Sequence, residues 1–224
     1  DVKIRGVTAT PILLGRDTFY RCARCESDYN ELGTCCGMET YEWSKPKKLS
    51  DTYEDIVVGP TIDYLIEMGQ LVKEINFVKT SADLSRLEID SSGDFSNKSQ
   101  DEAFGDDEAI FNCRLNYEQI AKGKRTVIFN NSTKTNVKVY EDFKNAGYPI
   151  RMYDSVNVTD ETRQEIVNWF KETPGAILCN VATFLAGFDA RNIECVILNV
   201  ATLSIAKYLQ AVGRGGRSCN EIYK

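Results

Sequence analysis

The chain has 224 residues, 42% hydrophobic and 27% charged, enough for one large domain or a domain with an appendage, with a sizeable core. It contains no histidine, which excludes Ser-His-Asp and Cys-His catalysis, imidazole zinc ligands and histidine pH switching. No apolar run approaches the roughly 20 residues that a membrane-spanning helix needs, so no membrane partner is expected. The net charge of −6 is unevenly placed: residues 1–50 carry 8 basic and 7 acidic side chains, 51–119 carry 5 and 16, and 120–224 carry 14 and 10. The acidity belongs to the middle of the chain, which leaves the C-terminal half able to present a basic face.

In chain order, the first local signal is cysteine. Cys22-Ala23-Arg24-Cys25 has the spacing of a zinc knuckle, and Cys35-Cys36 follows after nine residues. Four thiolates so spaced point to a small zinc ribbon over residues 16–52 with Cys22, Cys25, Cys35 and Cys36 as ligands. Adjacent cysteines do not easily face one tetrahedral ion, so free thiols or a degenerate ribbon stay open as an alternative, and disulfides as a third. Cys113, Cys179, Cys195 and Cys219 read as single core cysteines of a reducing compartment.

Residues 61–68 read as a helix stopped by Gly69, and 71–78 as a strand. Residues 90–108 carry seven carboxylates against one lysine, with few apolar residues and no sustained period, the composition of a solvated linker. Beyond it, strand and helix patterns alternate. Strands are expected at 125–130, 150–153, 176–179 and 195–200. Helices are expected at 133–146 with Gly147 as stop, from Thr159 with Ile166, Val167, Trp169 and Phe170 inward, and from an N-cap at Ser204 through Val212. That alternation predicts an α/β fold, a parallel sheet with helices on both faces.

Ligands of such sheets gather outside the carboxyl ends of the strands, and two segments are expected there. Cys179-Asn180-Val181-Ala182-Thr183-Phe184-Leu185-Ala186-Gly187-Phe188-Asp189 leaves a strand and turns to a carboxylate. Tyr208-Leu209-Gln210-Ala211-Val212-Gly213-Arg214-Gly215-Gly216-Arg217 ends a helix in glycines that present two arginines, whose planar charged forks suit phosphate oxygens. These segments resemble motifs V and VI of the superfamily 2 helicases. Gly6-Val7-Thr8-Ala9-Thr10-Pro11 resembles motif III, and Val127-Ile128-Phe129-Asn130-Asn131-Ser132 resembles motif IV. Gly59-Pro60-Thr61-Ile62-Asp63-Tyr64-Leu65-Ile66, then Gly69, is similar to the connector of phage and bacterial DNA-repair helicases, and Thr202-Leu203-Ser204 to their T-x-S element. The resemblance covers about three quarters of the chain and keeps the family's order of motifs.

The resemblance implies a RecA-like second lobe over 109–224, preceded by the end of a first lobe (1–15), the cysteine insertion (16–52), a connector (53–89) and the acidic linker (90–108). It implies roles residue by residue. Gly187, Asp189 and Gly213 would lie at the ATP site. Arg214 and Arg217 would act as arginine fingers on the γ-phosphate, and Gln210 would couple that site to motion. Asn131, Ser132, Asn180 and Thr202 would hold one nucleic-acid strand, DNA before RNA, and Thr8 and Thr10 would link hydrolysis to strand movement.

Three positions depart from the family pattern: Gly216 stands where an apolar residue is usual, Arg191 where Pro is common, and Ala186 where Thr is usual. Asp101-Glu102-Ala103-Phe104 imitates a motif II box, but nothing before it reads as the buried strand such a box must end. No G-x-x-x-x-G-K-[ST] occurs either. The P-loop and the Mg²⁺ ligands are therefore expected in a first lobe before residue 1, in a cytoplasmic protein of a bacterial or phage-infected cell. The expected function is the C-terminal part of an ATP-dependent DNA helicase or translocase, inactive alone. The alternative is a non-catalytic nucleic-acid-binding or regulatory module lacking the first lobe.

Overall fold

The computed structural model describes residues 16–46, 58–79, 82–153, 160–181 and 192–217. The chain divides into two compact units, Asp1–Val58 and Gly59–Lys224.

The first unit is an antiparallel sheet. Strands β1 (Arg16–Cys22), β2 (Asp28–Tyr29), β3 (Thr34–Cys35) and β4 (Met38–Pro46) lie in the order β2-β1-β4-β3. β1 pairs along its whole length with β4, from Arg16↔Pro46 to Cys22↔Thr40. The Arg21 guanidinium stacks 3.8 Å from the centre of the Trp43 ring and pairs with Asp28 at 2.7 Å. Among the described residues of this unit only Cys22 and Thr40 are buried. The ribbon therefore has almost no apolar core.

The second unit begins with α1 (Ile62–Glu67), capped by Thr61, whose hydroxyl accepts from the Tyr64 amide at 3.3 Å. Gly69 ends it at φ +68°, a left-handed turn that favours glycine. The strand expected at 71–78 does not form: Leu71 makes a single bridge to Arg217, and Ile75, Phe77 and Val78 are exposed. An apolar run becomes a strand only where a sheet edge is offered to it, and here Leu71 and Val72 meet only Arg217 and Gly216 in the turn after α6.

The acidic stretch is also ordered rather than a solvated linker. After a 3-10 turn at Leu84–Arg86 come α2 (Asn97–Phe104), capped by Ser96, and α3 (Asp107–Ile120), capped by Asp106. α2 buries Ser99, Gln100, Ala103 and Phe104, half of them polar, so no apolar period announces it. Its buried polar groups are satisfied instead. Ser99 Oγ accepts from the Glu88 amide at 3.0 Å, and Gln100 Nε2 donates to the Phe95 carbonyl at 3.1 Å.

From there the structure follows the expected alternation: β5 (Thr126–Asn130), α4 (Thr133–Asn145), β6 (Ile150–Tyr153), α5 (Asp160–Glu172), β7 (Ile177–Val181), β8 (Cys195–Asn199) and α6 (Ile205–Val212). The four strands are all parallel, in the order β6-β7-β5-β8. Alternate residues of β5 face opposite ways, giving the sheet two cores. Val127 and Phe129 pack with Ile166 and Phe170 of α5 and Ala211 of α6. Ile128 packs with Cys113 and Tyr117 of α3 and with Val139 and Phe143 of α4. Helices thus cover both faces, as predicted. Burial pushes the Cys113 and Cys179 thiols up to about 12, so both act as small apolar side chains.

Candidate functional site

The strand order decides where the functional residues meet. β5 lies between β7 and β8, so its last residue, Asn130, is in register with Val181 on one side and Asn199 on the other. Two turns leave this row, one from β5 and one from β8. An asparagine ladder holds the row together. Asn199 Nδ2 donates to Asn130 Oδ1 at 2.8 Å, and Asn130 Nδ2 donates to Asn136 Oδ1 of α4 at 2.8 Å. All three are buried, so each bond is made where water cannot replace it. This ladder was not anticipated; its only sequence signal is asparagine at the end of two apolar strands.

Asn131 and Ser132 form the turn into α4, with Ser132 as its N-cap, accepting from the Thr135 amide at 3.2 Å. Both side chains are engaged by α2. Asp101 Oδ1 accepts from Asn131 Nδ2 at 2.6 Å, from Thr135 Oγ1 at 3.1 Å and, at short range, from Ser132 Oγ. Asp101 lies inside α2 rather than at a strand end, so the geometry of a motif II box is absent from it.

At the other turn, Thr202 Oγ1 donates to Asp94 Oδ2 at 2.8 Å and the Leu203 amide donates to Asp94 Oδ1 at 2.8 Å. Lys207 Nζ adds a third bond at 2.7 Å. Burial pushes the Asp94 carboxyl up, but the Lys207 ammonium, the Leu203 amide and the Thr202 hydroxyl outweigh it and hold it below the ordinary value. A cavity of about 110 Å³ lies here, lined in part by Asp94, Gln100, Asn131, Thr202 and Lys207. Two buried amides next to these turns are incompletely paired. Asn131 Oδ1 and Asn180 Nδ2 have no hydrogen-bond partner among the described residues, although the two residues are only 6% and 3% exposed.

The arginines stand elsewhere. α6 starts beside Thr202 and, like any helix after a parallel strand, runs back along the sheet for about 12 Å. Gly215 then meets the second residue of β8: a Cβ there would come within 2.9 Å of Val196 Cγ2. The expectation that the Tyr208–Arg217 segment sits at the carboxyl ends therefore fails for its end, where Gly215 lies against the start of β8. Arg214 is half-buried, Gln210 and Arg217 are exposed, and Gly213 caps the helix. The Gly216 carbonyl accepts from the Val72 amide at 2.9 Å. A Cβ on Gly216 would come 3.0 Å from Glu74 Oε1, the end of a flexible side chain that can swing aside, so nothing in the structure explains glycine where an apolar residue was expected.

Thr8, Thr10, Gly187, Asp189, Ala186, Arg191 and Cys219 lie outside the described residues.

In the ribbon unit, the Sγ atoms of Cys22, Cys25, Cys35 and Cys36 all lie within 4.8 Å of one another. Cys25 and Cys35 are 3.6 Å apart, as are Cys35 and Cys36. Two thiolates on a tetrahedral zinc with ordinary Zn–S bonds stand about 3.8 Å apart, so the set fits that ion. The difficulty of adjacent cysteines is met by the backbone, since Cys36 adopts φ +55° and Gly37 φ +75°. Glu26 turns the first knuckle at φ +57°. The Ser27 hydroxyl and amide lower the Cys25 thiol to about 6, favouring the thiolate that a metal requires. Every described cysteine is a free thiol.

Residues 108–219 match the helicase conserved C-terminal domain. A "51.5 kDa protein" of Lactococcus phage (isolate 7-9) is 29% identical over 168 residues, which cover 75% of this chain and 36% of that protein; the chain thus spans about a third of its relative's length. Among solved structures, Mss116p DEAD-box helicase domain 2 bound to an RNA duplex is 21% identical with a TM-score of 0.41, covering 48% of this chain and 43% of its own. The C-terminal domain of the DEAD-box protein Dbp5 is 20% identical at 0.41, covering 48% and 61%. The Pyrococcus furiosus Hef helicase domain is 18% identical at 0.37, covering 50% and 23%. With the family match extending from α3 to the arginine-bearing turn after α6, this chain belongs to the helicase conserved C-terminal domain family.

Proposed function

We propose that the chain is the second lobe of an ATP-driven nucleic-acid helicase or translocase, acting on DNA in a bacterial or phage-infected cell. One observation carries the reading: α6 joins the strand-end turn at Thr202 to the arginine turn at Arg214 and Arg217 through eight helical residues. A short helix with few internal degrees of freedom transmits displacement from one end to the other. In this reading Arg214 and Arg217 stabilise charge developing on the γ-phosphate, with Gly213 allowing the turn and Gln210 coupling it to the helix. Asn131, Ser132, Asn180 and Thr202 hold strand phosphates and sugars, with Thr8 and Thr10 linking the lobes. Gly187 and Asp189 contact the nucleotide, whose phosphates and Mg²⁺ are held by another lobe. The phage relative supports the cellular setting.

The test uses the complete motor. Arg214→Ala or Arg217→Ala should cut steady-state ATP turnover by on the order of 10³, with strand affinity retained, because the strand's phosphates are held by other residues. Turnover near that of the unaltered protein in both variants would overturn the arginine assignment. Residues 1–224 alone should show no ATPase above background, since no P-loop is encoded here.

The same reading gives the ribbon a structural zinc on Cys22, Cys25, Cys35 and Cys36. Elemental analysis should find about one ion per chain, and less than about 0.2 would sink the assignment.

A further inference from the structure

We propose that the acidic segment before α3 is an internal mimic of the nucleic-acid backbone, with Asp94 and Asp101 occupying the two strand-binding turns until a strand displaces them. The inference rests on the strand-holding roles assigned above to Asn131, Ser132 and Thr202. Of the seven carboxylates in residues 90–108, these two reach the turns at the ends of β5 and β8. Each is received as a phosphate oxygen would be. Asp101 Oδ1 takes three donors, from Asn131, Ser132 and Thr135, at the first turn of α4. Asp94 takes a hydroxyl from Thr202, an amide from Leu203 and an ammonium from Lys207 just before the first turn of α6. A helix N-terminus with hydroxyl and amide donors accepts an anion whether it is carboxylate or phosphodiester.

A second observation indicates that the turns are built for something larger than a carboxylate. Asn131 is 6% exposed and leaves Oδ1 without a partner among the described residues, beside the 110 Å³ cavity that Asp94 and Gln100 help to enclose. An aspartate offers no donor for that oxygen, whereas sugar hydroxyls and base amino groups do. The attachment is also of a displaceable kind. α2 is only 8 residues long and buries one serine, one glutamine, one alanine and one phenylalanine. Its release would expose little apolar surface, and a strand that offers several phosphates exceeds two carboxylates in charge.

The mimic lowers apparent affinity by the fraction of time the turns are closed. In the full chain, the double variant Asp94→Asn, Asp101→Asn should bind a fluorescein-labelled oligothymidylate about tenfold more tightly than the unaltered chain. Glu102→Gln and Glu108→Gln, acids of the same segment with no bond to either turn, should change binding by less than about twofold. On the unaltered chain, adding the oligonucleotide should raise hydrogen exchange at the amides of α2. That measurement stands if the double variant fails to fold.

An equal gain from the Glu102 and Glu108 variants would reduce the effect to bulk charge and overturn the proposal. Unchanged or weaker binding by a folded double variant would do the same, as would α2 amides that stay protected when the strand binds. Ser132→Ala separates this from the underlying reading. If it weakens binding while the aspartate variants do nothing, the turn binds strands without a mimic. If it too does nothing, the strand-holding role of the turn has failed.

Discussion

The two units reach stability by different routes. The α/β unit buries two apolar clusters, one on each face of its sheet, and its largest fully buried side chains are Tyr117, Phe129, Phe143 and Phe170. The ribbon buries one cysteine and one threonine among its described residues, and holds its hairpins by backbone pairing, one stacked arginine and four converging thiols. Small folds without a core need a staple, and the four converging thiols are placed to supply one. One unit rests on an apolar core and the other on a cluster of thiols, so a chelator and a truncated phenylalanine should act on different units.

The largest expected effect falls on the ribbon. Structural zinc in small sites contributes roughly 10–16 kcal/mol of apparent binding energy, so chelation or Cys22→Ser should unfold residues 16–46 outright. Near-ultraviolet circular dichroism at Trp43, with far-ultraviolet signal from the helices retained, would register this. A ribbon indifferent to chelator would break the comparison.

Next comes the sheet. Phe143→Ala or Phe170→Ala should each cost about 3–5 kcal/mol, because neither pocket can collapse between strand and helix. Urea melts would measure the loss, and zinc content should not change in either variant.

A smaller effect belongs to Arg114, which bridges Glu118 within α3 and Asp142 of α4 at 2.7 Å each. Arg114→Ala should cost about 1–3 kcal/mol, since it leaves a half-buried carboxylate network short of its donor. The Arg114 guanidinium and the Tyr148 hydroxyl hold the Glu118 carboxyl below its ordinary value.

The smallest and most local effect is on acidity. The Asp94 carboxyl is depressed in the folded chain, so its contribution is complete above the unfolded value near 3.9 and is lost as pH falls through the folded one. Hydrogen exchange should show α2 and the turn at Thr202 opening below about pH 4 before the strands do. Opening of α2 at neutral pH, with the rest unchanged, would remove Asp94 as its anchor.

From β5 onward the chain's periodicity alone determined the elements, because apolar residues at strand and helix spacing mean burial on a sheet face. The helicase resemblance came from the same stretch, and the family match over 108–219 bears it out. The cysteine spacing likewise specifies a cluster, and the four thiols converge. What composition misjudged was residues 90–108. The acidic stretch looked solvated because its buried residues in α2 are held by hydrogen bonds as much as by apolar contact. Hydrogen bonds leave no period in a sequence, since their partners lie on other elements: Asp101 finds Asn131 and Ser132 across 30 and 31 residues, and Asp94 finds Thr202 across 108. The direction of α6, which carries the arginines away from the strand ends, likewise follows from its place after a parallel strand, and it brings Gly215 against Val196 of β8. Local sequence specifies which face of an element is apolar; only the assembled sheet specifies which polar groups its ends bring within 3 Å of one another.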